Sequence, residues 1–172
     1  MWEEAVAHPR TSHDPRDFRS ALGCFATGVC LVTTLGPERK PEGLTINSFS
    51  SVSLDPPMVL WSLSRTAASA PVFRDAEYFA VNILAKGDAA LSTHFSKSSE
   101  DKFAAFADRF SPGLGDSPIL KGAVATFECH SRHRYYGGDH IILIGNVERY
   151  TWSGAQPLLF HGGRYAAIDA AA

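Results

Sequence analysis

Short apolar stretches separated by turn residues recur along most of this chain, and they constrain its fold more than any other feature. They are rich in β-branched and aromatic residues and are bounded by Gly, Pro or polar residues, which is typical of strands. The helical segments between them are too few for the regular strand–helix alternation of a parallel sheet. The sequence therefore predicts a mainly β fold, a closed barrel with helical insertions. The predicted strands are 29–34, 44–49, 58–63, 78–84, 123–129, 141–147 and 158–160.

Helical patterns interrupt these strands. Asp14 is suited to the N-cap position of a helix. Phe18, Leu22 and Phe25 follow at i, i+4 and i+7, which predicts one apolar stripe on a helix that ends near Gly28. Further helices are predicted over 88–95 and 101–107.

Length, composition and charge limit the function classes. The chain has 172 residues, of which 45% are hydrophobic, and this suits one globular domain with its own core. We expect a flexible tail over 1–13 and a single domain over 14–172. The formal net charge of -2 gives no basic surface for nucleic acid. No apolar run approaches the ~20 residues of a membrane span.

The cysteine and histidine patterns indicate neither a disulfide scaffold nor a metal site. Cys24, Cys30 and Cys129 are odd in number and contain no CxxC pair. Small buried thiols suit a reducing compartment, so we expect a cytoplasmic protein. His130 and His133 form HxxH, but strand alternation places them on opposite faces. No metal ligand is predicted.

Several common catalytic motifs are absent from the sequence. It contains no GxGxxG, no P-loop, no GxSxG and no HExxH. A Rossmann dinucleotide site, a P-loop NTPase and an α/β-hydrolase therefore lose their main support.

The densest polar segment is 45–53, where hydroxyl or amide side chains occupy most positions. Thr45, Asn47 and Ser48 begin this segment, and such groups bond carbonyls, ring nitrogens and phosphates without adding charge. The alternative is a solvated strand face whose hydroxyls bond their own backbone. Composition alone favours that alternative.

A second polar group follows the predicted strand 58–63. It contains Ser62, Ser64 and Arg65, with Ser69 a little further along. Arginine beside hydroxyls suits a phosphate, because the planar guanidinium donates two parallel hydrogen bonds. An ordinary loop with a surface arginine is the alternative, and the residues alone leave both open.

A third signal, Gly137-Gly138-Asp139-His140, comes just before the apolar strand 141–147. Paired glycines allow a sharp turn, so His140 would stand at the mouth of a strand. Asp139 could bias the protonation of His140, although neighbouring side chains on a strand point to opposite faces. A hairpin turn with a hydrogen-bonded histidine is the alternative.

Taken together, these segments resemble the flavin reductase-like family over about 18–168. The pattern Thr-x-Asn-Ser-Phe-x-Ser-Val-Ser-x-x-Pro-Pro, followed far downstream by Gly-Asp-His, is specific in combination. The resemblance implies an FMN-binding split β-barrel, usually a homodimer with the flavin near the subunit interface. The segments that carry it are 25–29, 43–57, 78–84, 138–140 and 157–160.

The resemblance also implies individual site residues. Ile46 departs from the family pattern, in which a small residue is common, so its side chain either narrows the flavin site or points into the core. His140 is the implied catalytic residue, beside the stacked nicotinamide. The implied cofactor-binding residues are Thr45, Asn47 and Ser48 at the ring edge and ribityl chain, Ser62, Ser64, Arg65, Ser69 and Lys102 towards the phosphate, and Tyr165 at the pocket mouth.

The expected function is an NAD(P)H:flavin oxidoreductase that supplies reduced flavin to a partner monooxygenase. Hydride transfer between stacked rings needs no protein nucleophile, which agrees with the absence of a triad or paired carboxylates. The alternatives are a non-catalytic flavin-binding or sensing protein and a structural dimer without flavin. The sequence leaves open FMN or FAD, NADH or NADPH, and a diffusible or a tightly held flavin.

Overall fold

Antiparallel strands make up most of the molecule. The computed structural model describes residues 14–98 and 101–168; the predicted tail over 1–13 lies outside the described residues. Its helices are α1 (Pro15–Gly23), α2 (Ala70–Asp75) and α3 (Ala89–Phe95). Its strands are β1 (Thr27–Gly28), β2 (Cys30–Leu35), β3 (Pro41–Ile46), β4 (Ser50–Leu54), β5 (Pro57–Ser64), β6 (Tyr78–Ile83), β7 (Phe110–Pro112), β8 (Pro118–Leu120), β9 (Ala125–Gly137), β10 (His140–Trp152), β11 (Leu159–His161) and β12 (Arg164–Ala166).

One large sheet organises the chain. It has 7 strands in the order β3-β2-β6-β9-β10-β5-β4, and every neighbouring pair is antiparallel. A second sheet joins β1, β11 and β12, and β7 pairs with β8. The mainly β class with helical insertions is therefore confirmed. No helix among the described residues has the length and apolar character to cross a membrane.

Two apolar cores lie on the two faces of strand β2. Its residues alternate between the faces, as strand geometry requires: Val32 packs in the first core and Leu31 in the second. In the first core, the Trp61 ring lies edge-on against Phe73, with centroids 5.1 Å apart. The second core brings Phe95 of α3 against the same sheet. Because both faces are covered, β2 is buried along nearly its whole length.

A buried amide ties the central strands together. Asn82 of β6 is fully buried and donates to the Leu31 carbonyl at 3.1 Å and to Thr33 Oγ1 at 3.3 Å. Its Oδ1 accepts from the Leu120 amide at 2.9 Å and from Thr126 Oγ1 at 3.3 Å. Every hydrogen-bonding position of the amide is thus used, which fixes the strands that support the site.

The first predicted helix is shorter than expected. Helix α1 ends at Gly23, and the amides of Cys24 and Phe25 bond back to its last turn. The chain then becomes extended, because Thr27 pairs with Phe160 of β11. The Phe18, Leu22 and Phe25 stripe is exposed rather than buried, with Phe25 78% exposed.

Two other boundaries differ from the sequence prediction. The segment predicted as a helix over 101–107 forms a 3-10 helix over Ala104–Arg109, interrupted where Phe106 has φ -135°. Strands β9 and β10 extend far beyond the predicted 123–129 and 141–147 and form one long hairpin. The added residues, 130–137 of β9 and 148–152 of β10, are mainly polar or aromatic and largely exposed, so the apolar pattern on which the prediction depended stops before the strands do.

Candidate functional site

A cavity of about 280 Å³ opens between the end of β3, helix α3 and the β11–β12 hairpin. We call it the central cavity. Hydroxyl and amide groups stand beside apolar side chains in its wall, so it offers both flat apolar surface and hydrogen-bonding groups. Its lining residues are Val29, Thr45, Ile46, Asn47, Ser92, Ser96, Phe160 and Tyr165.

Strand alternation sets the two sides of β3 at this cavity. Thr45 faces α3, and its Oγ1 donates to the Ser92 carbonyl at 2.6 Å. Ile46 faces the other way, is 8% exposed and packs in the first core. The Ile46 side chain, which departs from the family pattern, therefore packs mainly in the core and exposes only its edge to the central cavity.

The β11–β12 hairpin closes one side of the central cavity. The Tyr165 hydroxyl donates to Ser92 Oγ at 2.8 Å and lies 3.2 Å from Thr93 Oγ1. Its ring stands edge-on to Phe160, with centroids 5.8 Å apart. Since Ser92 is fully buried, this hydrogen bond fastens the exposed hairpin to α3.

A second cavity of about 220 Å³ continues from the first, with Thr45 and Ser96 in both walls. We call it the basic cavity, because Lys97 and Lys102 line it together with the buried Ser69. Hydroxyl groups beside cations are the groups that hold phosphates in proteins.

The Lys102 ammonium is fixed rather than free. It donates to the Gly43 carbonyl at 3.1 Å and to the Phe95 carbonyl at 3.3 Å. Burial lowers the pKa of Lys102, and the charge of Glu42 acts in the opposite direction. The geometry leaves the third ammonium proton for a ligand, because two carbonyls use only two of the three donors.

A third group of predicted residues lies on strand β5 or in contact with it, outside both cavities. Ser48 Oγ accepts from the Ser62 amide at 3.0 Å and donates to the Ser62 carbonyl at 3.1 Å, which fixes the β3–β4 connection. Ser64 Oγ lies 3.0 Å from Thr66 Oγ1. His140 lies opposite Ser64 in the β5–β10 ladder. Ser62, Ser64 and His140 therefore share one face of the sheet.

The Gly-Asp-His turn has a defined geometry. Gly138 has φ +64°, a conformation that glycine adopts without strain. Asp139 lies in this turn rather than in the strand, so its Oδ1 reaches to 2.7 Å from His140 Nδ1. That hydrogen bond, followed by the charge of His140, lowers the pKa of Asp139. A carboxylate and an imidazole are therefore already paired at the strand mouth.

Arg65 contacts this turn from the neighbouring strand. Its amide donates to the Asp139 carbonyl at 2.9 Å, and its guanidinium lies over the Tyr136 ring, 5.3 Å from the centroid. Its Nη1 is 3.4 Å from the Gly138 carbonyl oxygen. Arg65 thus braces the hairpin and does not line the basic cavity.

The structure separates the predicted site residues into groups. Thr45, Asn47 and Tyr165 line the central cavity, and Ser69 and Lys102 line the basic cavity. The others lie outside both cavities: Ser62 and Ser64 on β5, Arg65 directly after it, His140 on β10, and Ser48 in the β3–β4 connection.

Sequence reasoning missed several lining residues. Ser92 of α3 and Ser96, the C-cap residue of that helix, are one helical turn apart, and this i, i+4 spacing of hydroxyls was a usable signal. Lys97 directly follows them. Phe160 and Val29 carry no polar group, and only the pairing of β1 with β11 brings their segments together.

The prediction that His130 and His133 lie on opposite faces of the strand was wrong. A bulge at Arg132 shifts the register, so that His130 lies opposite Asn146 and His133 opposite Ile144. Both histidines therefore lie on one face, because a bulge breaks the strand alternation. No group of three or more metal-ligating side chains occurs within 14–98 and 101–168.

The two cavities fit a flavin by the chemistry of their walls. The apolar side chains Val29 and Phe160 suit the faces of a planar ring, and Thr45 and Asn47 offer hydrogen bonds to its edge. The hydroxyl and cation of Ser69 and Lys102 suit a phosphate at the far end.

Comparison with known proteins also indicates a protein that acts on flavin. The family model described as "Flavin reductase like domain" matches residues 22–169. The chain is 41% identical over 152 residues to the FMN reductase (NADH) SmoA of Agrobacterium fabrum, covering 87% of this chain and 84% of the relative. It is 36% identical to the flavin-dependent monooxygenase reductase subunit HsaB of Mycobacterium tuberculosis, covering 91% of this chain and 83% of the relative.

A solved structure extends the likeness to three dimensions. The NADH:FAD oxidoreductase SgcE6 of Streptomyces globisporus, in complex with NAD and FAD fragments, superposes with a TM-score of 0.85. The two are 36% identical, and the match covers 93% of this chain and 98% of that one. The fold shared with such reductases is the split barrel that the family resemblance implied.

Proposed function

Because this chain belongs to the flavin reductase-like family, we propose that it takes a hydride from NADH, passes it to a flavin and supplies the reduced flavin to a separate monooxygenase. The observation that carries this proposal is the pair of joined cavities. One is built for a flat ring with a polar edge, and the other for an anionic end. The relatives named above are reductases of this kind.

The proposed binding roles follow the two cavities. Thr45 and Asn47 would hold the edge of the flavin ring, and Phe160 and Tyr165 would contact it from the cavity wall. Lys102 holds the phosphate through its remaining ammonium proton, together with the Ser69 hydroxyl. Ser48, Ser62, Ser64 and Arg65 act less directly, by fixing the backbone next to the site.

Bound flavin supplies the hydride-accepting ring, and the nicotinamide supplies the hydride. The chain would contribute the position of the ring, because Thr45 and Asn47 would hold the flavin edge beside the apolar wall of the central cavity. Such positioning needs no nucleophile or acid pair, since the reacting atoms belong to the two ligands.

His140 is the proposed catalytic residue, where it would contact the nicotinamide carboxamide. Asp139 fixes its ring through Nδ1 at 2.7 Å, so Nε2 is the nitrogen left for the ligand. We expect His140→Ala to lower the rate of hydride transfer roughly tenfold or more while the Kd for FMN changes little. Single-turnover stopped-flow absorbance measures the first quantity and fluorescence titration the second. An unchanged hydride-transfer rate would remove His140 from the mechanism.

The proposal includes a homodimer. Several large aromatic and apolar side chains are exposed on the single chain, and two of them, Tyr150 at 62% and Trp152 at 74%, stack on each other with ring centroids 6.1 Å apart. Contiguous exposed apolar surface marks association sites in soluble proteins. Light scattering should give twice the chain mass, and a stable monomer at micromolar concentration would contradict this part.

The remaining choices are also proposals. NADH is the expected donor and FMN the expected first acceptor, with FAD accepted too, as the names of the relatives suggest. A diffusible flavin is expected, because the central cavity is open on one side and closed only by a short hairpin. The cytoplasm is the proposed compartment, since Cys24, Cys30 and Cys129 are free thiols.

A further inference from the structure

A third cavity, about 370 Å³ in volume, lies between helix α1 and the β11–β12 turn. We call it the arginine pocket. One face of α1 lines it, because Arg16, Arg19, Ser20 and Gly23 recur at i, i+3, i+4 and i+7. Gly162 and Gly163 of the hairpin turn form the opposite wall, and the Gly162 amide donates to the Gly23 carbonyl at 2.9 Å.

The two guanidinium groups in this pocket have no ion-pair partner in the part of the chain that the structure describes. No carboxylate there forms an ion pair with Arg16 or Arg19, whereas Arg39, Arg74, Arg109 and Arg149 all have acidic partners. Like charges three residues apart on a helix repel each other. An anion between them would remove that repulsion and gain hydrogen bonds from both forks.

The position of the arginine pocket, beside the central cavity, indicates which ligand it binds. The same hairpin lines the central cavity with Phe160 and Tyr165 and the arginine pocket with Gly162 and Gly163. Gly162 comes two residues after Phe160, which is about 7 Å along an extended chain. The basic cavity joins the central cavity through a different wall, at Thr45 and Ser96. A flavin whose phosphate occupies the basic cavity therefore leaves the arginine pocket free.

We infer that the arginine pocket binds a phosphate group of the pyridine nucleotide, held by Arg16 and Arg19 while the nicotinamide reaches the central cavity. This inference rests on the proposed function, because it places the nicotinamide over the flavin ring. The phosphate is either the pyrophosphate, which NADH and NADPH share, or the 2′-phosphate, which NADPH alone carries.

The test is the double variant Arg16→Gln with Arg19→Gln, compared with the double variant Lys40→Gln and Lys86→Gln. The control removes the same charge from two exposed lysines that line none of the three cavities. KM is measured for NADH and NADPH at saturating FMN, and Kd for FMN by fluorescence. We expect the arginine variant to raise the nucleotide KM roughly tenfold or more while the FMN Kd stays within about twofold.

The pattern across nucleotides identifies the phosphate. Equal increases for NADH and NADPH assign the pyrophosphate, and an increase for NADPH alone assigns the 2′-phosphate. Unchanged KM values for both, or an equal effect in the lysine control or on FMN, would overturn the inference.

A binding assay separates this inference from the proposed function. ADP and 2′-phospho-ADP-ribose are titrated calorimetrically into the wild-type protein with FMN bound and into the arginine variant. Saturable binding of at least one of them, lost in the variant, supports the pocket even if NADH is not oxidised. No binding of either to the wild-type protein overturns the pocket even if NADH oxidation is fast.

Discussion

Lys102 offers the sharpest test of how the flavin is oriented. One variant, tested with two flavins that differ only in the phosphate, isolates the contribution of the phosphate to binding. The Lys102 ammonium donates to the Gly43 and Phe95 carbonyls at 3.1 and 3.3 Å and faces the basic cavity. Lys102→Met keeps most of the apolar stem and removes the charge. Riboflavin has the ring and ribityl chain of FMN without the phosphate.

The expected rise in the FMN Kd follows from the free energy of the hydrogen bond that Lys102→Met removes. One hydrogen bond to a charged group is worth about 1.5–3 kcal/mol, which is roughly a 10- to 150-fold change in Kd. The FMN Kd should rise by that factor in Lys102→Met, and the riboflavin Kd should not. Stability should also fall by about 1–3 kcal/mol, because two buried carbonyls lose their donor.

Quenching of flavin fluorescence measures both Kd values, and urea unfolding measures stability. Lys121→Met is the matched control, since Lys121 also donates to a main-chain carbonyl, that of Asp108 at 3.0 Å. Burial lowers the Lys102 pKa, so the preference of the wild-type protein for FMN over riboflavin should fade as pH rises through that lowered pKa. An equal loss for FMN and riboflavin would refute the assignment of the phosphate to Lys102.

Three further changes test other parts of the account. Asn82→Ala should lower the free energy of unfolding by roughly 2–4 kcal/mol in urea, because it leaves buried partners unsatisfied. Tyr165→Phe should speed flavin release roughly tenfold in stopped flow, since it loses the bond to α3; an unchanged rate would show that the hairpin does not retain flavin. A disulfide reagent should modify Cys24 alone in the native protein, because burial raises the pKa of both Cys30 and Cys129 to about 12. Above about pH 9 the unfolded chain binds fewer protons at these two thiols than the folded one, so stability should fall by up to ~1.4 kcal/mol per pH unit for each; a flat stability profile would contradict this.

The sequence predicted the strands best where burial decides the residue type. The segments 29–34 and 78–84 contain the neighbouring strands β2 and β6, which are buried at nearly every residue and are mostly apolar, so their pattern indicates strands directly. The parts of β9 and β10 beyond the predicted segments are held by pairing: 130–137 of β9 pairs with 140–146 of β10, and 149–152 of β10 pairs with 125–128 of β9. Because strand pairing through the backbone depends little on residue type, the lengths of β9 and β10 could not be predicted.

Half of the residues predicted for the candidate site line the two joined cavities, whereas the shape of the cavities could not be predicted. Thr45, Asn47, Ser69, Lys102 and Tyr165 line the joined cavities, and a resemblance of motifs was enough to select them. The cavities themselves depend on α3 and the β11–β12 hairpin, which approach β3 through long-range packing.

Local irregularities explain the remaining differences. The bulge at Arg132 places His130 and His133 on one face, and a turn lets Asp139 reach His140. Both depend on single departures from strand geometry, which periodicity does not report.

The most direct test of the central claim is the oxidation of NADH and NADPH, followed at the nicotinamide absorbance, with FMN, FAD or no added flavin. The account predicts fast oxidation that requires added flavin, is faster with NADH than with NADPH, and leaves the flavin reduced in the absence of oxygen. A protein that binds FMN but oxidises neither nucleotide would contradict the account and indicate a flavin-binding sensor.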